Sequence, residues 1–93
     1  MNDFEGILRD MAALHERKNH DYGDAFAKSF AEFGVIAAVV RMSDKMERLK
    51  SLCKKEARVD ESMKDTLIDL ACYAVMTVVE LKHQQEKEII DKI

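Results

Sequence analysis

Apolar residues recur along most of this chain at steps of three and four. Phe4, Leu8, Met11 and Leu14 or His15 trace one stripe over residues 3–17, the mark of an amphipathic α-helix. The link from Asn19 to Gly23 interrupts the pattern with Asn, Asp and Gly, residues with turn chemistry. Phe26, Phe30 and Phe33 then form one face of a short helix predicted over 24–33, with Asp24 in its first turn or at its N-cap. Gly34 marks a corner. Val35, Val39, Met42, Met46, Leu49 and Cys53 alternate steps of four and three, which predicts a helix over 35–53 whose seam packs on another helix. The run KKEARVDE reads as a polar connection. Asp60 is placed to cap a fourth helix over 61–85, with Glu61 in its first turn and residues 86–93 as a charged, fraying continuation.

The fourth helix carries two apolar stripes. One is Met63, Leu67, Leu70, Ala74, Val78 and Leu81; the other is Ile68, Cys72, Val75 and Val79. At about 100° per residue they point to nearly opposite sides, and a helix apolar on two sides is buried on two sides. The expectation is a homo-oligomer, a dimer or higher, built on this helix. The alternative is that the aromatic helix covers the second stripe within one chain.

Composition narrows the class. The chain has 93 residues, 47% hydrophobic and 35% charged, with no Pro and 3 Gly. This fits one all-α domain over 1–93, a small bundle of three long helices and one short one. The net charge of -3 provides no overall basic footprint for duplex nucleic acid. No run is long and apolar enough to cross a membrane, and no signal peptide opens the chain, so the sequence reads as cytoplasmic. Cys53 and Cys72 both fall at apolar helical positions and read as buried thiols. With no close Cys/His pair, a zinc site is not expected. His15 and His83 read as surface or packing residues.

Two charged rows carry candidate chemistry. On the fourth helix Glu61, Asp65 and Asp69 step by four and Tyr73 continues the row. Asp65 lies beside the second apolar stripe, where an acid is partly desolvated and needs a cation or metal. On the third helix Arg41, Lys45 and Arg48 form a cationic row, with Asp44 among them and Glu47 one step aside. The plain alternative is a set of salt bridges holding the two helices together.

The blocks KNHDYGDAF, EFG, RMSDKMERL and DESMKDTLIDLACYA, over roughly 18–74, resemble the phage and prophage family called nucleotide modification associated domain 1. More distantly, the helical hairpin is similar to MazG-like all-α nucleoside triphosphate pyrophosphatases, oligomers whose EExxE and ExxD motifs hold Mg²⁺ against substrate phosphates. EExxE falls here on Ser43-Asp44-Lys45-Met46-Glu47, retaining Asp44 and Glu47. ExxD falls on Thr66-Leu67-Ile68-Asp69, retaining Asp69, with Asp65 a turn earlier as a substitute and Glu61 in reserve. Fewer acids and more cations make such a pocket poorer for Mg²⁺ and better for phosphate. On that reading Lys18 and His20 reach phosphates, Tyr22 stacks on a base or sugar, and Gly23 lets the chain turn close to the ligand. Asp21 caps the short helix or accepts from a base edge. The alternative is a capped turn with Tyr22 packed in the core.

The resemblance therefore implies a phage-type protein in the host cytoplasm. It would bind a nucleotide or nucleotide-derived signal, with sequestration of a signal used in antiviral defence as the further expectation. The ligand-binding candidates are Lys18, His20, Asp21, Tyr22, Arg41, Lys45, Arg48, Asp65, Asp69 and Tyr73, with no cofactor. A second reading is an Mg²⁺-dependent nucleotide pyrophosphohydrolase or modification enzyme, with Asp44, Glu47, Asp65 and Asp69 on the metal. A third is a helical adaptor with no small-molecule ligand.

Overall fold

The computed structural model describes residues 2–22, 24–54 and 60–93, with side chains at all of these except 20–22 and 60–62. The described chain is all helix: α1 (Asp3–Tyr22), α2 (Ala25–Phe33), α3 (Val35–Lys54) and α4 (Asp60–Asp91). Among the described residues there is no strand. It is an all-α bundle, 56 × 33 × 24 Å. Its long axis follows α4, whose 32 residues span roughly 48 Å.

Asn2 caps α1: its Oδ1 accepts from the Glu5 backbone N–H at 2.8 Å. The helix runs through Tyr22 rather than ending at 17. Asn19, His20 and Asp21 were expected to break it, yet each is less favourable than Ala by under about 0.7 kcal/mol in a helix that is already nucleated. The reversal comes later, at Asp24, which sits in the left-handed region at φ 62°. Asp tolerates that region better than most residues. Asp24 holds the N-cap position of α2, but its side chain makes no capping bond.

Gly34 forms the predicted corner. At φ +80° it ends α2, and its N–H donates to the Phe30 carbonyl at 2.8 Å, an arrangement that suits glycine. The short helix thereby folds back on α3 and sets Phe26 and Phe30 into the core against Ala38. Met42, Tyr73 and Met76 pack around these three. Most of the interhelical packing is between α3 and α4, whereas α1 meets α4 lightly.

Two predicted seams are rotated from their observed positions. On α3 the buried residues are Ala38 and Leu49. Of the expected stripe, Val35, Val39 and Met46 stay more than 40% exposed, and Cys53 is an exposed thiol rather than a buried one. Small Ala38 lets the α2 aromatics approach the backbone closely, so packing size and not hydropathy alone chose the face. On α4 the core-facing positions are Thr66 and Thr77, between the two apolar stripes. The Thr77 hydroxyl donates to the Tyr73 carbonyl one turn back, at 2.6 Å, so its burial leaves no unpaired donor. The helix reaches Asp91, beyond the expected 85. The KKEARVDE connection lies mostly outside the described residues.

Phe30 is 2% exposed at the centre of this small core. Phe30→Ala is expected to cost about 3–5 kcal/mol, measured as a lower urea midpoint with an unchanged slope. A loss below about 1 kcal/mol would place the core elsewhere.

Candidate functional site

The end of α1, the start of α2 and the middles of α3 and α4 surround a cavity of about 400 Å³. Its chemistry centres on Asp69. The Lys45 ammonium, from α3, donates to Asp69 Oδ2 at 3.0 Å. The Lys18 ammonium, from α1, lies 3.5 Å from Asp69 Oδ1. One carboxylate on α4 thus joins two cations from two other helices. It is about one-third exposed, with Lys45 more covered than Lys18.

Arg41 is held beside this triad. Its Nη2 donates to Ser29 Oγ at 3.1 Å, and its guanidinium carbon lies 5.6 Å from the Phe26 ring centre and 6.0 Å from that of Tyr73. Those two rings stack, 6.0 Å apart and 22° from parallel. Cation–π attraction and one hydrogen bond therefore position a guanidinium that is not neutralised by a carboxylate among the described residues. Lys18, Arg41 and Lys45 face the cavity, with Asp69 as the one acid among the described residues of its wall. That charge excess suits an anion.

A second cavity, about 470 Å³, continues along α1 and α4. Leu8, Met11 and Ala12 line one side and Val75, Met76 and Val79 the other, with Glu80 and His83 at the far end. Cys72 lies in the wall between the two cavities. Burial pushes its thiol pKa upward, the Asp69 charge adds to that, and Lys18 opposes it.

Of the predicted residues, Lys18, Arg41, Lys45, Asp69 and Tyr73 meet in the first cavity. Arg48 and Asp65 do not line it; both are exposed and lie about one turn nearer the α3–α4 connection. The expectation that Asp65 is desolvated is corrected accordingly. Asp44 and Glu47 are exposed as well, and Glu47 pairs with Lys50 at 3.1 Å. Among the described residues no three His, Cys, Asp or Glu side chains gather as a metal site would require. As arranged in one chain, this donor set does not fit a hard divalent cation. The side chains of His20, Asp21, Tyr22 and Glu61, and Gly23, lie outside the described residues.

Sequence reasoning did not assign Asn19 and Phe26, which line both cavities, or Cys72 in their shared wall, and it set aside His15, which lines both as well. It also set aside His83. The available signal was the α1 stripe itself: continued by three and four from Met11, it passes through His15 to Lys18 and Asn19.

The family model described as nucleotide modification associated domain 1 matches residues 18–81. The chain belongs to this family. The match takes in Lys18, Arg41, Lys45, Asp69 and Tyr73, and so the whole cationic cluster of this nucleotide modification associated domain. No match was found among curated proteins or solved structures. No helix among the described residues is long and apolar enough to cross a membrane.

The raised thiol yields a test of the electrostatics. Because Asp69 holds the Cys72 pKa up, Asp69→Asn should lower it and speed alkylation by iodoacetamide at pH 8, since only the thiolate reacts. Peptide mass spectrometry should show Cys72 slower than exposed Cys53 in the wild type and faster in Asp69→Asn than before. An unchanged or slower Cys72 rate in the variant would contradict the placement of that charge.

Proposed function

We propose that this protein binds a nucleotide or nucleotide-derived phosphate compound in the cationic cavity and holds it without turnover. The observation that carries the reading is the convergence of Lys18 and Lys45, from separate helices, on Asp69 beside the ring-held Arg41. Phosphate oxygens accept the same ammonium and guanidinium protons that a carboxylate accepts. The family's association with nucleotide modification supports a nucleotide as the source of that phosphate. Retention without chemistry amounts to sequestration, and a signalling nucleotide is the ligand for which sequestration alone is useful. In this reading a phage-encoded copy acts in the host cytoplasm against nucleotide-based defence.

The protein acts as a homo-oligomer. In a single chain Leu67, Val78 and Leu81 on one side of α4 are 48%, 64% and 41% exposed. Phe33, Ile36 and Val40 add further open apolar surface. Patches of this kind mark interaction faces. Light scattering at micromolar concentration should give at least a dimer, and Val78→Glu should dissociate it while circular dichroism stays unchanged. A wild-type monomer would remove this part of the reading.

Binding is tested by melting the protein with ATP, GTP, cyclic mononucleotides and sodium tripolyphosphate, each with and without Mg²⁺. A ligand of the folded state must raise the melting temperature by linkage, and here it should do so without Mg²⁺. Lys45→Ala should weaken binding by roughly 1.5–3 kcal/mol, the scale of a charge-assisted contact. Equal calorimetric affinity in wild type and Lys45→Ala, or Mg²⁺-dependent release of phosphate or pyrophosphate, would overturn the proposal.

A further inference from the structure

The two cavities are compartments of one groove. They share His15, Asn19, Phe26, Cys72 and Met76. On α4, Asp69, Cys72, Met76, Glu80 and His83 follow at steps of three and four, so one helix face lines the groove throughout. Asp69 and Glu80 stand about three turns apart, roughly 16 Å along the axis. Cations thus gather at one end. Leu8, Met11, Val75 and Val79 line the stretch beyond them with Asp24 also in the wall, and Glu80 stands beside His83 at the other end.

The acidic end is a single carboxylate with unused acceptor capacity. The Glu80 side chain is 21% exposed, and His83 Nδ1 lies 3.9 Å from its Oε2. That separation is too long for a hydrogen bond. A carboxylate has two oxygens that accept side by side. The group that fits is a planar edge with two adjacent N–H donors. Guanine presents N1–H next to its 2-amino group. Adenine and cytosine present an amino group beside a ring-nitrogen lone pair, which a carboxylate repels. Uracil flanks its one N–H with two carbonyls.

Resting on the nucleotide-binding reading above, we infer that the groove selects a guanine nucleotide with an extended phosphate chain. The phosphates lie on Lys18, Arg41 and Lys45, the base packs between Met11 and Val79, and the guanine edge pairs with Glu80. The distance from Asp69 to Glu80 suits a di- or triphosphate better than a monophosphate. Charge complementarity at both ends of the groove argues for this occupant over an apolar helix, which would leave both Glu80 and the cations unanswered.

Calorimetry on the full chain at fixed ionic strength tests this with GTP, ITP, ATP and sodium tripolyphosphate. GTP should bind at least about tenfold more tightly than ATP, with ITP between them because hypoxanthine lacks the 2-amino donor. Glu80→Gln should remove the GTP advantage and leave tripolyphosphate affinity within about twofold, since the amide presents one acceptor and a repelling N–H₂. If tripolyphosphate binds but GTP, ITP and ATP are equal in the wild type, the base assignment fails while the phosphate clamp stands. Equal affinities together with a dimer broken by Val79→Glu would place a second copy's helix in the groove and overturn the inference. If none of the four probes binds, the nucleotide reading fails and this inference fails with it.

Discussion

The Asp69 carboxylate is the point through which α1, α3 and α4 are joined. Lys45 reaches it from α3 at 3.0 Å and Lys18 from α1 at 3.5 Å. The link matters most for α1, which otherwise meets α4 lightly and leaves Phe4, Ile7 and Leu8 largely exposed. It is also a weak link. Partly exposed ion pairs contribute about 0–1 kcal/mol each, so this carboxylate orients α1 more than it fastens it. A contact that positions two cations at little energetic cost is one that an incoming anion can share or replace.

The apolar surface follows from the same geometry. Among the described residues four apolar side chains are buried, Phe26, Phe30, Ala38 and Leu49, a small core for a domain of this size. α2 builds most of it, because Gly34 folds the aromatic face back onto α3 and α4. On α4 it packs against Tyr73 and Met76, and the stripes on either side of the buried line through Thr66 and Thr77 keep much of their area open. The groove beside α1 and the open face bearing Val78 are different sides of one helix. A ligand in the first and a neighbouring copy on the second do not compete for the same residues.

Helix order, the Phe26 and Phe30 part of the α2 face and the Gly34 corner were legible because each rests on local chemistry, a three-and-four period and a glycine able to adopt positive φ, whereas Phe33 of the same expected face is exposed. The phase of α3 and α4 was not legible. Hydropathy favoured Val35, Val39 and Met46, but the bundle buried Ala38, where a small side chain permits close approach. It turned the row bearing Arg41 and Lys45 inward, where long stems cover apolar surface while the charged ends reach the cavity. Thr66 and Thr77 were passed over as polar, although a Thr hydroxyl can pair within its own helix and then be buried. For the candidate site, the charge rows led to Lys18, Arg41, Lys45 and Asp69. His15 and Asn19 lie on the α1 stripe, but that they share a wall with Cys72 follows only from the register between α1 and α4, which neither helix carries alone.

That register also defines what kind of anion the groove can prefer. Asp69 neutralises part of the charge of Lys18 and Lys45. A small monovalent anion offers these ammonium groups no more than the carboxylate does, and it gains no covalent attachment to compensate its lost entropy. A polyphosphate differs in kind. It can engage Arg41, whose guanidinium is held by rings and a hydroxyl rather than by an acid among the described residues, while its other oxygens share the two ammonium groups with Asp69. On the binding reading proposed above, the internal carboxylate would act as a threshold, discounting single charges and leaving the response to ligands long enough to span the clamp. In that reading Arg41 would supply the affinity that Asp69 withholds from the rest.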